Sequence, residues 1–427
     1  MSRKTKESLF IVTSGFGDGH RRVAEVLALA LRRADPERPV RIVDLYATLT
    51  PRLYPLALRG YLLTLRRAPE LLGATYAWSA RIRRGAFPRI RLRLPKLDLP
   101  VHLHVPGLHE RTPSLRPSAA LAHAFATIFD GRTPGTVVAT APVPLLLVGE
   151  WKRRQGLSFP LVYLATDFIP HLVVAREEVD LYLVAHDEAK ARLAALGVAP
   201  ERIRVTGIPV HPAFVRASSV RSKRLARSRK AGPLCLLVAG GGWGLVAGAE
   251  ALVRDLLASP RFFSAADPRS GGSTPFLRML VLGGKNPDAA QKSVDRLSHP
   301  AIAWKVLPYL DPGQVAALLA TADGFLTKPG GISLAEALTV GIPAFLLPPL
   351  PGPEEENARF LTEAGLVGSG GGEQLLDWLR GISDPKLQRE TAARQHGVVS
   401  PHAAERVVRE LLGFLGESGQ NVRRTQR

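Results

Sequence analysis

The chain is poor in cysteine and lacks long apolar runs. Its 427 residues include one cysteine, Cys235, so an internal disulfide is excluded, and this composition suits a reducing cytosol. No run of 18 apolar residues occurs, and the sequence therefore predicts no membrane-spanning helix. Aromatic residues make up only 6% of the chain, and no zinc-finger, helix-turn-helix or RNA-binding signature accompanies them, which disfavours a nucleic-acid-binding protein.

Acidic residues are scarce beside basic ones: 57 lysines and arginines face 37 aspartates and glutamates, a net charge of +20. An excess of this size indicates a polyanionic partner, whether nucleic acid, acidic lipid or a phosphorylated substrate. The densest stretch, from Arg52 to Lys96, holds ten arginines and one lysine against one acid, Glu70, among leucines and aromatic residues. Either a solvated basic helix face or a surface for anionic lipid fits this composition.

Short apolar runs alternate with amphipathic, helix-like segments along the whole chain, a pattern typical of α/β folds with parallel sheets. The sequence predicts two doubly wound, Rossmann-like domains that face each other across a cleft, with ligands bound beyond the carboxyl ends of the strands. The predicted strands lie at 9–14, 40–46, 136–140, 161–166, 180–185 and 203–207; the pattern restarts at PLCLLVAGGGWG (233–244) and continues with strands at 277–284, 302–307, 324–327 and 343–348. The predicted divisions are a first domain at 1–215, a basic linker at 216–232, a second domain at 233–400 and a C-terminal helix and tail at 401–427.

The first candidate site is a glycine loop, TSGFGDGHRRVAE (13–25), which follows a predicted strand and opens a helix. Its glycines, Gly15, Gly17 and Gly19, allow positive φ and close backbone approach, and the helix start offers unpaired N–H groups to an anion. The spacing matches neither a P-loop nor the dinucleotide fingerprint, so a plain strand-to-helix turn is an equal alternative. His20 at the mouth of this loop is a candidate base, since the positive helix end would favour its neutral ring.

The second candidate site is TKPGGISLAE (327–336), where Gly330 and Gly331 allow a tight turn before a helix. Ser333 and Glu336 have the spacing of a capping box, which by itself explains both side chains. The amides of the same turn are also suited to phosphate oxygens, and Glu336 to a ribose diol. In the following segment, GIPAFLLPPLPGPEEENARF, the acidic residues suit a helix start, while Asn357 is a candidate for a sugar hydroxyl.

Four segments together resemble the monogalactosyl- and processive glucosyl-diacylglycerol synthases, which share the GT-B fold with the peptidoglycan lipid-intermediate N-acetylglucosaminyltransferase. The segments are TSGFGDGHRRVAEVL, LATDFIPH, DLYLVAHDEAKARLAALGVAPERIRVTGIPV and TKPGGISLAEALTVGIPAFLLPPLPGPEEENARF. They cover nearly all of residues 9–370, and the stretch from PGG to EEEN is the most specific of them.

The resemblance implies a hexosyltransferase that moves a sugar from UDP-glucose or UDP-galactose to a diacylglycerol-type lipid, with inversion to a β-glycoside and without a metal or cofactor. It implies a cytoplasmic protein bound peripherally to the anionic inner face of the cell membrane. Residues 1–215 would bind acceptor and membrane, and 233–400 the UDP-sugar. His20 or Asp167 would take the acceptor proton. The expected donor-binding residues are Gly17, Gly19, Gly241, Lys285, Lys328, Pro329, Gly330, Gly331, Ser333, Glu336, Gly352, Glu354 and Asn357. The expected acceptor and membrane residues are Phe16, His171, Arg66, Arg67, Trp78, Arg83 and Arg84.

Three alternatives remain open from the residues alone. The first is a GT-B glycosyltransferase with another lipid-linked or hydrophobic acceptor, such as a polyprenyl-linked sugar. The second is a UDP-sugar epimerase built on the same two-domain design. The third is a protein that binds nucleic acid through its charge.

Overall fold

The structure is a computed structural model that describes residues 7–16, 18–68, 70–71, 73–74, 125–227, 232–241, 247–265 and 276–425. Two separate parallel sheets, each flanked by helices, form its framework. The predicted α/β fold with two doubly wound sheets is therefore confirmed.

The first sheet has six parallel strands in the order β2-β1-β3-β4-β5-β6. Its inner strands are apolar and buried on both faces, as expected when helices cover a parallel sheet on either side. The strands are β1 Leu9–Thr13, β2 Val40–Asp44, β3 Thr136–Ala139, β4 Leu161–Leu164, β5 Leu181–Val184 and β6 Ile203–Val205. The helices of this half are α1 Asp18–Ala34, α2 Leu45–Leu49, α3 Tyr54–Arg67, α4 Pro142–Arg154, α5 Asp187–Ala195 and α6 Pro212–Leu225.

The second sheet has five parallel strands in the order β11-β10-β7-β8-β9. Its strands are β7 Leu234–Ala239, β8 Leu277–Leu282, β9 Ile302–Leu307, β10 Gly324–Thr327 and β11 Ala344–Leu346. The helices that accompany and follow them are α7 Ala247–Ala258, α8 Pro260–Ala265, α9 Pro287–Asp295, α10 Pro312–Thr321, α11 Gly331–Val340, α12 Pro353–Glu363, α13 Gly372–Ile382, α14 Pro385–Val398 and α15 Ala403–Thr425.

Each sheet has one point at which the direction of winding reverses. In the first sheet it lies between β1 and β3, and in the second between β7 and β10. The loops that leave these strands diverge to opposite faces of their sheet, which opens a crevice at the carboxyl ends. Both predicted glycine loops leave such a strand: TSGFGDGH follows β1 and KPGG follows β10. The topology therefore places both loops where open α/β sheets bind ligands.

The predicted basic linker at 216–232 is largely a packed helix, because α6 runs from Pro212 to Leu225. Arg221, although it belongs to this basic run, is only 1% exposed. Its guanidinium donates hydrogen bonds to the carbonyls of Gly341, Leu319 and Ala322 and to Gln388 Oε1, all in the second half. This arginine is a structural donor within the helical part of the run, and the basic linker at 216–232 stays a prediction as a domain division. The outer domain divisions remain predictions.

The C-terminal helix α15 returns to the first half of the chain and packs against α1. The same helix also reaches β6, because Glu410 of α15 and Arg204 of β6 form an ion pair with 3.6 Å between Oε2 and Nε. One hydrophobic cluster accordingly includes residues of both sheets and of helix α15. Within the described ranges, no helix combines the length and apolar character needed to span a membrane.

Candidate active site

The loops after β4 and β10 meet between the two sheets. The first contains Thr166 and Asp167, and the second leads through Pro329 and Gly330 into helix α11. At Gly331, the first residue of α11, an added Cβ atom would lie 2.2 Å from the Thr166 carbonyl oxygen and 2.8 Å from the Asp167 Cα atom. No side chain fits at that distance without backbone movement, so Gly331 is needed for the close approach of two backbones.

His20 lies at the same junction, in the first turn of α1. Its Nδ1 atom is 2.8 Å from the Thr140 carbonyl oxygen and 2.8 Å from the Thr166 hydroxyl. Because a carbonyl oxygen only accepts, the proton of the neutral ring is on Nδ1, and the Nε2 lone pair is available. Burial lowers the pKa of His20 below its usual range, and this effect outweighs the opposing influences of Asp167 and the Thr140 carbonyl. This direction favours the expected neutral ring, with desolvation rather than the helix end as the main cause.

Two further hydroxyl contacts fix the backbone around His20. Thr140 Oγ1 lies 2.9 Å from Thr13 Oγ1 at the end of β1 and 3.1 Å from the His20 carbonyl oxygen. Thr140 follows β3, so these bonds tie the two strands that border the first sheet's reversal point to the start of α1. The imidazole is thus held by Thr140 after β3 and Thr166 after β4, and Thr140 also holds the His20 backbone.

Asn357 in helix α12 is completely buried and binds the loop after β4. Its Oδ1 accepts from the amides of Phe168 and Ile169 at 3.0 and 3.3 Å. Its Nδ2 donates to Asp167 Oδ1 at 2.9 Å and to the Pro329 carbonyl at 3.2 Å. The amide has two donors and two acceptor sites, and all four are in use. The sugar contact predicted for Asn357 would require one of these bonds to break.

Glu336 is 5% exposed, and Arg22 of helix α1 is the cation beside it, 3.2 Å from Oε2. Burial raises the pKa of Glu336 to about 7, although the Arg22 charge acts in the opposite direction. The predicted capping box is wrong, because α11 begins earlier, with Gly330 as N-cap and no side-chain cap. Ser333 is thus the third residue of the helix, and Glu336 lies in its second turn. The carboxylate is left for a role other than capping.

Two lysines predicted to bind the donor are paired with acids. Lys328, just after β10, forms a salt bridge with Glu354 and lies against Gly241, whose φ is +79°. Lys285, after β8, contacts Asp18 Oδ1 at 2.7 Å and so links the second sheet to the start of α1. Lys328, Gly241 and Glu354 lie together, while Lys285 reaches the opposite wall of the crevice.

Phe16 connects the first glycine loop to helix α3. Its ring meets those of Tyr46, Tyr54 and Tyr61 edge to face, with centroids 4.7, 5.6 and 5.5 Å apart. Burial raises the pKa of the Tyr61 hydroxyl, and the charges of Lys328 and Glu354 also act on it. Helix α3, which begins the predicted membrane segment, therefore packs over the candidate site.

The remaining predicted residues have less direct relations to the junction. Gly19 faces Ile332 of α11, and an added Cβ there would lie 3.1 Å from Cγ1. His171 caps a short 3₁₀ turn by accepting from the Val173 amide at 3.0 Å. Gly352, with φ +110°, precedes α12. Arg67 is exposed at the end of α3. Gly17, Trp78, Arg83, Arg84 and the side chain of Arg66 lie outside the described residues.

Three residues of the junction were not among the predicted ones: Arg22, Thr140 and Thr166. Thr140 and Thr166 are each the last residue of a strand that the sequence did predict, so the rule that ligands bind at carboxyl ends would have selected them. Arg22 gives no such signal, because its partner Glu336 lies 314 positions further along the chain.

The chain is similar to known proteins in sequence and in fold. A family model described as monogalactosyldiacylglycerol (MGDG) synthase matches residues 109–210. The processive diacylglycerol beta-glucosyltransferase of Bacillus subtilis (strain 168) is 30% identical over 243 residues, which cover 56% of this chain and 57% of that protein. The enzyme of the same name from Bacillus pumilus (strain SAFR-032) is 27% identical over 84% of this chain and 82% of its own. The match thus spans little more than half the length of the first relative.

Solved structures support the fold alone, because their sequence identities are low. MurG of Acinetobacter baumannii superimposes with a TM-score of 0.56 at 14% identity, covering 96% of this chain and all of that one. The UDP-GlcNAc 2-epimerase of Neisseria meningitidis, bound to UDP-GlcNAc, gives 0.56 at 12% identity, covering 96% and 100%. The resemblance predicted from the sequence is confirmed: the chain has the GT-B fold, and its sequence is similar to the monogalactosyldiacylglycerol synthase model and to processive diacylglycerol beta-glucosyltransferases.

Proposed function

We propose that the protein transfers a hexose from a UDP-sugar to a diacylglycerol-type membrane lipid, with inversion to a β-glycoside. The observation that carries this proposal is the junction of Gly331 with Thr166 and Asp167, which brings the start of helix α11 against two candidate bases. An anion-binding helix start and a neutral imidazole at one crevice are the parts that glycosyl transfer from a nucleotide needs. The names of the relatives supply the acceptor class.

The donor would lie on the second sheet's side of the crevice. The start of α11 and Lys328 would face the diphosphate, and Glu336, freed from capping, would accept hydrogen bonds from the ribose hydroxyls. Lys328 is neutralised by Glu354 in this structure, so donor binding would exchange one anionic partner for another. The solved neighbour with UDP-GlcNAc bound supports a nucleotide-sugar in this fold.

The transfer step is a direct displacement. The acceptor oxygen forms a bond to the anomeric carbon while the bond to the UDP oxygen breaks, and UDP leaves with the electron pair. The acceptor proton passes to His20 Nε2 or to Asp167, a contribution of about 10²–10⁴-fold. The leaving diphosphate is stabilised by the α11 amides and Lys328. The proposed mechanism uses no metal ion.

The direct test is an incubation of the protein with diacylglycerol vesicles and either UDP-glucose or UDP-galactose, followed by identification of the lipid product. We expect a β-hexosyl diacylglycerol with one of the two donors. A UDP-sugar converted in the absence of acceptor would show an epimerase instead. Transfer only to a polyprenyl-linked sugar or another alcohol would move the proposal to a different acceptor.

Gly331 and Gly330 offer a matched pair of substitutions. Gly331→Ala places a methyl group against the Thr166 carbonyl, whereas the nearest atom to a Cβ at Gly330 is 4.0 Å away. We expect Gly331→Ala to lower kcat on the order of 10²-fold, since a misplacement of about 1 Å has that cost, while Gly330→Ala changes it little. Steady-state kinetics with melting curves measure this. Equal activity of the two variants would contradict the close backbone contact.

The pH profile tests His20. Because burial lowers its pKa below the usual 6.5, the ring stays neutral, and able to accept a proton, down to a lower pH than an exposed histidine. If His20 is the base, kcat should fall only below pH 6.5, and His20→Ala should reduce it by about 10²–10⁴-fold at every pH above that. Full turnover of His20→Ala would exclude His20 and leave Asp167, which Asp167→Asn tests in the same assay.

Helix α3 is the described part of the proposed membrane surface. Leu56 and Leu63, seven positions apart on one face, are 69% and 51% exposed, and Arg59 and Arg67 lie exposed on the same helix. Apolar residues flanked by arginines suit an anionic leaflet.

We therefore expect Leu56→Ser with Leu63→Ser to weaken partitioning onto anionic vesicles at least about tenfold, because burial of one leucine contributes about 1.5–3 kcal/mol. Val220→Ser, at a site 53% exposed on helix α6, is the control and should bind as the parent does. Sedimentation with vesicles at rising salt measures both. Equal binding to neutral and anionic vesicles would rule out the electrostatic part.

A further inference from the structure

We propose that Asn357 is a positioning residue that holds both candidate bases and the donor-binding loop in one arrangement across the crevice. This inference rests on the proposed function, and it gives Asn357 a role different from the sugar contact predicted from the sequence. It concerns the step of chemistry rather than the affinity for the donor.

The hydrogen bonds of Asn357 all connect segments that are far apart in sequence. Asn357 Oδ1 accepts hydrogen bonds from the backbone amides of Phe168 and Ile169, which lie 189 and 188 positions away in the sequence. The amide nitrogen reaches Asp167 Oδ1, 190 positions away, and the Pro329 carbonyl, 28 positions away. Asn357 is 0% exposed, so a group that lost its hydrogen bond to this side chain could not bond to solvent instead. One buried amide thus determines where the loop after β4 lies relative to the loop after β10.

Both candidate bases depend on that loop. Asp167 is bonded to Asn357 directly, at 2.9 Å. His20 is bonded to the Thr166 hydroxyl at 2.8 Å, and Thr166 immediately precedes Asp167. A shift of residues 166–169 would therefore move the support of either base. The inference holds whichever of the two removes the proton.

The donor side is tied to the same amide through Pro329, whose carbonyl it binds. Pro329 precedes Gly330 and Gly331, which begin the helix proposed to receive the diphosphate. Asn357 therefore connects the proposed leaving-group site with the proposed base. In a displacement these two groups must lie on opposite sides of the reacting carbon, and their separation must be right when the bond forms.

The helix that carries Asn357 is docked firmly on the first half of the chain. Glu356 pairs with Arg192 of α5, with 2.7 Å between Oε2 and Nη1. One turn further on, the Phe360 ring stacks on His186, with centroids 3.9 Å apart. An ion pair and a ring stack flank Asn357 on helix α12, so the amide lies within an established contact between the two halves. Removal of the amide should loosen the loop without detaching the helix.

The chemistry of an amide is specific here. An aspartate at this position would still accept from the Phe168 and Ile169 amides but would place a second carboxylate beside Asp167. A leucine of nearly the same size would make none of the four bonds. These two replacements separate the shape of Asn357 from its hydrogen bonds.

The test uses the 427-residue chain with diacylglycerol vesicles and whichever UDP-hexose the parent accepts. For Asn357→Leu we expect kcat to fall on the order of 10²-fold, the cost of a misplacement of about 1 Å. We expect the dissociation constant of UDP, measured by calorimetry, to stay close to that of the parent. Gln395→Leu is the matched control: Gln395 is also fully buried, but it donates to the Ile342 and Leu366 carbonyls, both within the second half.

Asn357→Asp adds a readout that a purely structural role would not move. At low pH the new carboxyl is protonated and can again donate to Asp167. The activity of Asn357→Asp relative to that of the parent should therefore rise as the pH falls. A parallel pH profile for the variant and the parent would contradict the proposed bond to Asp167.

Three other results would overturn the proposal. A loss of UDP affinity with unchanged kcat would make Asn357 a donor ligand. An equal loss of kcat in Gln395→Leu, at equal melting temperature, would make the effect a general one of losing a buried amide. Unchanged exchange of the Phe168 and Ile169 amide hydrogens in Asn357→Leu would show that the loop needs no such support.

The exchange measurement needs no substrate, so it distinguishes the two failures. If the parent transfers no hexose to lipid, the proposed function fails; the exchange rates of Phe168 and Ile169 still decide whether Asn357 holds the loop. Faster exchange in Asn357→Leu, with parental rates in Gln395→Leu, is the expected result.

Discussion

The close contact between Gly331 and the backbone of Thr166 and Asp167 is the constraint on which the candidate site depends. It brings the start of helix α11 within van der Waals distance of the loop that follows β4, and only a residue without a side chain permits it. His20, Asp167 and Asn357 all lie around this contact. The crevice thus lies between two sheets that have no strand in common but whose loops meet at this one junction.

Paired charges surround the junction on several sides. Glu336 with Arg22, Asp18 with Lys285, and Glu356 with Arg192 each join a residue of the first half to one of the second. The Asp18–Lys285 and Glu356–Arg192 pairs are partly exposed and contribute little stability individually, whereas Glu336 is buried beside Arg22; all three pairs fix which surfaces face each other. The basic residues that give the net charge of +20 are therefore not all available to other molecules. Some of its arginines, Arg221 above all, are interior donors to backbone carbonyls.

The fold was predictable because its signals are local. Buried parallel strands such as LFIVT and TVVA read as continuous apolar runs, and each is followed by residues that begin a helix. The same local reading failed at Ser333, where the spacing to Glu336 matched a capping box although the helix begins at Gly331. Capping depends on where the backbone first turns, and Gly330 followed by Gly331 allows that turn to begin earlier than side-chain spacing indicates.

The sequence by itself determined the α/β class, the two glycine loops and the candidate residues His20, Asp167 and Glu336. These depend on composition and on the order of residues within short segments of the sequence. Only the tertiary structure decided their partners: Arg22 for Glu336, Thr140 and Thr166 for His20, and the four bonds of Asn357. The reason is distance along the chain. Except for the bond from Asn357 to Pro329, these bonds join residues more than 100 positions apart, and nothing in the local sequence around either partner specifies the other.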